Sequence, residues 1–191
     1  MNWLGDKAGQ LFKREEAPLI GVTNGLLEDE YMFILEGSIP NRKSTPVVDE
    51  WIGIDFKHGK YEKILGIDEL IRKTGLTNPR MINAERITEE DCETAKSLLH
   101  ETISRAKEYL NSKYEDYKKE VNPKIDGELD KLEKLEEKHH RFNRESLFSN
   151  KEEKEREINR EFDKLVQWVH DTLEIQDNPY IRVIAALKGV K

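Results

Sequence analysis

Three side chains in one predicted strand are of the types a metal-dependent nuclease uses: Asp49, Asp55 and Lys57. In such a site two carboxylates hold Mg²⁺ and a lysine sits beside the attacked phosphate. Strand alternation places all three on one face with Trp51 and Gly53, opposite Ile52, Ile54 and Phe56. Alternating charges on the solvent face of a strand give the same pattern without any metal, and short motifs recur by chance. The plainer reading therefore assigns no catalytic residue and no metal here.

A second set could bind phosphate rather than cleave it. Arg42 and Lys43 follow Pro40-Asn41 in a loop. Arg80 and Arg86 lie in another irregular stretch, with Lys73, Asn78 and Asn83 near in sequence. If the loops converge, these cations form a basic patch of the kind that contacts phosphates. Scattered, they only solubilise loops. Trp51 and Trp168 mark an interface if exposed, or cover a helix–sheet junction, which is the reading preferred here.

Other chemistry finds little footing. The five histidines, His58, His100, His139, His140 and His170, show no His-x3-His spacing, and there is no Cys-x2-Cys, so no zinc site is expected. Cys92 has no base beside it in sequence and reads as a half-buried helix residue. No Gly-x4-Gly-Lys-Ser/Thr or Gly-x-Gly-x-x-Gly occurs, so no phosphate loop for ATP is legible.

The elements that must position these residues follow from patterning. Residues 2–14 suit a short amphipathic helix with Trp3, Leu4, Leu11 and Phe12 on one side. Tyr31 to Leu35 is apolar on both faces, as in a central strand. A loop at 41–45 and a strand from about Val47 to Phe56 complete a hairpin. Residues 67–74 read as a short helix with Ile67, Leu70 and Ile71 spaced for burial.

At Thr88 the character changes. Thr88 followed by Glu89, Glu90 and Asp91 reads as an N-cap with an acidic first turn. A heptad-like stripe then runs through Leu99, Ile103, Ala106, Leu110, Tyr117, Val121, Ile125, Leu129, Leu132 and Leu135. After a break near 143–150 a second stripe carries Ile158, Phe162, Leu165, Val169 and Leu173. Facing residues of an antiparallel hairpin share one index sum. Val121–Leu173, Ile125–Val169, Leu129–Leu165 and Leu132–Phe162 all share 294, and Leu135–Ile158 has 293. The expectation is a two-helix coiled-coil arm over 88–176 with its tip at 143–150. Pro123 and Gly127 threaten the first helix with a kink or a break.

Asn178-Pro179 signals a turn, and Tyr180 to Leu187 is a strand that rejoins the N-terminal sheet. The fold class is therefore α+β: a small, mainly antiparallel sheet with a long helical hairpin inserted before the last strand. The expected division is a strand-rich body, 1–87 plus 177–191, and the arm, 88–176.

Composition agrees. Of 191 residues, 37% are charged, against about 25% in ordinary domains, which long exposed helices accommodate. The net charge is −7, shared as −2 over 1–87, −7 over 88–176 and +2 over the remainder. An acidic surface repels phosphate and leaves only a local patch for nucleic acid. A single cysteine forbids an intrachain disulfide, and the N-terminus lacks the charge and apolar run of a signal peptide. No stretch approaches the length of a membrane span. A cytoplasmic protein is expected.

Two segments carry a family likeness. Ile34 to Arg42 leading to Val47–Ile54 is one, and Phe162 to Leu173 leading to Asn178–Ala185 is the other, with a charged helical stretch between. Together these resemble the C-terminal accessory region of bacterial Swi/Snf-related helicases of the HepA/RapA-like type, which belong with the DEAD/DEAH-type motors. The likeness covers about residues 28–188. It implies a non-catalytic accessory domain that couples a motor, in cis or in trans, to DNA, RNA or a protein partner. It implies that ATP and Mg²⁺ act only through that motor, since no motor motif is present here. The residue patterns alone leave two other readings open: a free-standing coiled-coil interaction protein, self-associating through its arm, and the metal-dependent nuclease.

Overall fold

The computed structural model describes residues 17–23, 25–76, 87–146, 150–177 and 179–190. The helix expected at 2–14 lies outside the described residues. Five strands, β1 (Leu19–Val22), β2 (Glu30–Pro40), β3 (Pro46–Lys57), β4 (Lys60–Gly66) and β5 (Tyr180–Gly189), form one sheet in the order β1-β5-β2-β3-β4. Three helices accompany them: α1 (Ile67–Thr74), α2 (Glu89–Glu145) and α3 (Lys151–Leu173). The fold is α+β with a mainly antiparallel sheet, and the long helix is inserted before the last strand. The parallel exception is β1 on β5, Leu19 opposite Ala186.

The chain divides into two compact units. Unit 1 is 1–37, 49–109 and 180–191, and unit 2 is 38–48 and 110–179. The division expected at 88 and 177 is thus displaced. The first turns of α2 cluster with unit 1 because Ala95, Leu98 and Ala106 are buried in its core. The β2–β3 turn clusters with unit 2 because its backbone bonds to residues 174–176.

Unit 1 is organised by β2, which has no polar face in its first half. Tyr31, Phe33 and Leu35 pack with Ile52, Ile54, Phe56 and the first turns of α2. Met32 and Ile34 point the other way and pack with Val22, Leu26, Leu65 and Leu70. Gly53 permits the second packing, because a Cβ there would overlap the side chains of Leu70 and Met32. In α1, Leu70 is buried and Ile71 half-buried as expected, but Ile67 is exposed at the first turn.

The start of α2 is a reciprocal cap. The Thr88 backbone N–H and hydroxyl donate to Asp91 Oδ2 (2.9 and 2.8 Å), and the Asp91 N–H donates to Thr88 Oγ1 (3.2 Å). Two orphan N–H groups are satisfied by that exchange. Asp91 Oδ1 also accepts from the Tyr31 hydroxyl (3.3 Å) and pairs with Lys188 Nζ (3.2 Å). Burial works against the Asp91 charge, but the bonds from Thr88 and Lys188 outweigh it and hold its carboxyl below the usual range. Tyr31 is pushed up to about 12, by burial first and then by the Asp91 carboxylate.

In unit 2, α2 and α3 form the antiparallel hairpin. α2 runs through Pro123 without a break. Val121, Ile125 and Val169 are buried, with Tyr117, Leu129, Leu132 and Leu173 packed on them. Phe162 is buried, and its ring meets His139 edge-on at 5.6 Å. At the tip, Asn143 Nδ2 donates to the Lys151 carbonyl (2.9 Å), a pair whose index sum is again 294.

Leu135 and Leu165, assigned to the seam by the heptad reading, are instead 44% and 43% exposed. The cause is periodicity. From Val121 onward, Gly127 aside, the buried and half-buried positions of α2 run 121, 125, 129, 132, 136, 140, 143, which repeats every eleven residues rather than seven. A straight helix drifts by about 20° per heptad, so a seven-residue line leaves the seam unless the helices supercoil. Glu136, His140 and Asn143 take the distal seam and Leu135 turns outward. Ile158 remains half-buried.

Two outcomes follow. Ile125→Ala should destabilise unit 2 by about 2–4 kcal/mol, and Leu135→Ala by less than about 1 kcal/mol. A heptad seam would make the two equal in urea unfolding. Tyr31 holds its proton more tightly in the folded chain than at its ordinary value of 10.0. Its contribution is full below pH 10 and is lost as pH rises through about 12. Tyr31→Phe should remove that part of the alkaline slope, measured by unfolding at pH 9 to 12.

Candidate nucleic-acid interface

The cations named from sequence do not share one fate. Arg42 and Lys43 lie in unit 2, on the turn between β2 and β3, and Asn41 sets that turn. Asn41 is buried, and its Oδ1 accepts the N–H groups of Lys43 (3.0 Å) and Thr45 (2.9 Å). Such a side chain imitates a backbone turn. The Asn41 N–H donates to the Thr45 carbonyl and the Ser44 N–H to the Asn41 carbonyl, both at 2.9 Å, with Ser44 at positive φ.

The same residue ties the turn to the end of α3. Asn41 Nδ2 donates to the Thr172 carbonyl (2.9 Å), one of the terminal carbonyls that a helix leaves without partners. Around it, Arg42 N–H donates to the Glu174 carbonyl (3.2 Å) and Gln176 N–H to the Pro40 carbonyl (2.9 Å). Asn41 and Ile175 form an antiparallel bridge.

This clip delivers three functional side chains to one place. The Arg42 guanidinium pairs with Glu174. Lys43 Nζ lies 3.4 Å from Thr172 Oγ1 and 5.6 Å from the centroid of the Trp168 ring. Trp168 is 56% exposed. It is therefore a surface indole and not the helix–sheet cover preferred from sequence, and Trp51 is also partly exposed, at 38%. Both cations sit at the negative end of the α3 dipole, which favours their charge by about 0.3–1 kcal/mol each at an exposed site. His170 Nδ1 contacts Glu174 at 2.5 Å, so Glu174 serves two neighbours. Chemically, the group offers the Lys43 ammonium, an Arg42 guanidinium already shared with the half-exposed Glu174, and an aromatic plane.

Lys73, in unit 1, is already engaged. Its Nζ contacts Asp55 Oδ2 at 2.5 Å and Glu30 Oε1 at 3.6 Å. Glu30 Oε2 accepts the Leu27 N–H (2.8 Å), fixing the loop before β2. Lys73 is thus a counter-ion for two buried carboxylates and not a phosphate contact. Arg80 and Arg86 lie outside the described residues.

Nor do Asp49, Asp55 and Lys57 assemble. Asp49 is exposed and Asp55 is 2% exposed, with Lys73 as its lysine. Six residues of strand separate the two aspartates by about 20 Å, too far to share one ion. Among the described residues, no group of three or more His, Cys, Asp or Glu is arranged to hold a metal. Cys92 is half-buried.

Sequence reasoning found Arg42, Lys43 and Trp168 separately. It missed Asn41, Thr172 and Glu174, which bring them together. An Asn after Pro at the start of a polar loop was the available signal. Comparison with protein families, with curated proteins and with solved structures finds no match to this chain.

Lys73→Met leaves two enclosed carboxylates without a cation. It should cost about 3–5 kcal/mol in urea unfolding. Unchanged stability would mean that the cluster is open to water.

Proposed function

We propose that this chain is a non-catalytic accessory domain of an ATP-dependent nucleic-acid translocase, acting in the cytoplasm. In this reading ATP and Mg²⁺ belong to an associated motor, in cis or in trans, and the domain couples that motor to DNA or RNA. The observation that carries it is the Asn41 clip, which sets Arg42, Lys43 and the exposed Trp168 side by side. Phosphates take the cations and an unpaired base takes the indole face, the combination used for single strands. A small basic patch on a chain of net charge −7 suits local positioning better than bulk attraction. The likeness of 34–54 and 162–185 to the accessory region of HepA/RapA-like helicases supports the motor half of the reading. Among the described residues no helix is long and apolar enough to cross a membrane.

The free-standing interaction protein remains a second reading, favoured by one observation. Phe142 is 76% exposed on the arm, and Leu135 lies one heptad before it. The separation of Asp49 and Asp55 by about 20 Å of strand counts against the nuclease reading.

Fluorescence anisotropy with labelled single-stranded DNA and RNA tests the first reading. Arg42→Glu/Lys43→Glu should weaken binding at least ~10-fold and flatten the slope of log affinity against log salt by about 1.4, two phosphate contacts' worth. Trp168→Ala should cost about 1–3 kcal/mol without changing that slope. A wild-type chain that binds neither strand at low salt, or a double variant that binds as well as wild type, would overturn the reading.

A further inference from the structure

The strand alternation that turns Ile52, Ile54 and Phe56 toward α2 turns Gly53 and Asp55 toward α1. Leu70 of α1 packs over Gly53, and Lys73 follows Leu70 by three residues. The next position on that helix face thus stands over the next inward position of the strand. Lys73 Nζ reaches Asp55 Oδ2 at 2.5 Å. The helix ends directly after it, where the Gly75 N–H donates to the Ile71 carbonyl (2.8 Å) at positive φ. The loop before β2 closes over this end. A Cβ on Gly25 would lie 2.3 Å from the Lys73 carbonyl oxygen. The Leu27 N–H fixes Glu30 Oε2, which leaves Oε1 3.6 Å from Lys73 Nζ.

This cluster differs from an ordinary ion pair in three respects. Asp55 and Glu30 are both buried. One amine faces two carboxylates. Asp55 Oδ1 is buried and has no hydrogen-bond partner among the described residues. A carboxylate oxygen left without a donor in the interior is costly, and a neutral amide oxygen is less so. The carboxyl carbon of Asp55 is one bond from Oδ2, which puts it close to the ~3–3.5 Å that separates reacting atoms in a productive geometry.

We propose that Lys73 and Asp55 condense to an isopeptide bond, with Glu30 as the proton carrier. Lys73 Nζ passes one proton to Asp55 Oδ2. Its lone pair then forms the Nζ–Cγ bond, and the π electrons of the carboxyl group move to Oδ1. Glu30 Oε1 takes a second proton from Nζ and delivers it to Oδ2. The Cγ–Oδ2 bond breaks, water leaves, and the Cγ–Oδ1 double bond re-forms. An ammonium and a carboxylate become one amide and one water, and Glu30 ends as the carboxylate it began. The Lys73 side chain is 25% exposed, which gives the water a way out. The remaining amide N–H stays beside Glu30. Residues 55 to 73 contain all of β4, an edge strand, so the bond closes β3, β4 and α1 into one covalent ring and staples that edge. The inference uses unit 1 alone and does not depend on nucleic-acid binding.

Intact-mass spectrometry of the whole chain tests it, after the folded protein has stood for days at neutral pH. The wild type should be lighter than its sequence by one water. Digestion should give one branched peptide that joins the segments of Asp55 and Lys73. Lys73→Arg keeps a cation but removes the amine, and should have its full mass. Glu30→Gln still accepts the Leu27 N–H but cannot carry a proton, and should form the bond at least ~100-fold more slowly. Circular dichroism checks that both variants are folded. A wild type of full mass would overturn the inference. So would a water loss that Lys73→Arg retains, one that Glu30→Gln leaves at the same rate, or a branch at Lys63, which stands opposite Asp55 on β4.

Discussion

A strand with no polar side has to be covered twice, and unit 1 is built around that requirement. Tyr31, Phe33 and Leu35 demand one layer, and Met32 and Ile34 demand another. The first turns of α2 supply the former and α1 the latter. The neighbours of β2 adapt to the same demand. Gly53 leaves room on the α1 side where any side chain would collide, and β3 turns Ile52, Ile54 and Phe56 to the α2 side. The charged groups admitted to this interior come as a set, with Lys73 between Asp55 and Glu30. Such a cluster adds little net stability when whole and costs much when broken.

The arm obeys a different constraint. An α-helix has 3.6 residues per turn, and a seven-residue pattern keeps a straight seam only if the helices wrap around each other. Here the seam follows the eleven-residue repeat and passes through Glu136, His140 and Asn143 toward the tip. His140 stands between Glu136 at 3.7 Å and Glu155 at 3.6 Å, so the distal contact is polar. Hairpin cohesion is therefore concentrated near Val121, Ile125 and Val169. The distal half relies on Phe162 against His139 and on side-chain bonds such as Asn143 Nδ2 to the Lys151 carbonyl.

Much of this was legible in the residues. The two-faced apolar run at 31–35, the Thr88 cap, the helix at 67–74 and the mirrored stripes about the tip all follow from local chemistry. What was not legible has physical causes. β4 carries one buried residue, Leu65, and as an edge strand it lacks a strong apolar pattern. β1 has four residues and gains its place only from β5. Leu135 and Leu165 were misplaced because a stripe read along one helix does not reveal whether the pair supercoils. Lys73 looked free because its partners are 18 and 43 positions away in the chain. Within the candidate interface the reactive groups were visible. The organiser was not, since Asn41 acts through backbone atoms more than 130 residues distant.

The sheet order carries a consequence for how the protein is made. β5 lies between β1 and β2, yet it follows both long arm helices in the chain. A ribosome therefore delivers β1 and β2 long before the strand that joins them. While the arm is translated, one edge of β2 stays open and β1 has no partner strand. Synthesis runs at about 5–20 residues per second, so that interval lasts several seconds or more. An open, apolar strand edge is the feature that most readily recruits a wrong chain. The nascent chain thus keeps its most adhesive surface uncovered until the arm is complete, and β5 acts as the closing stave of the sheet.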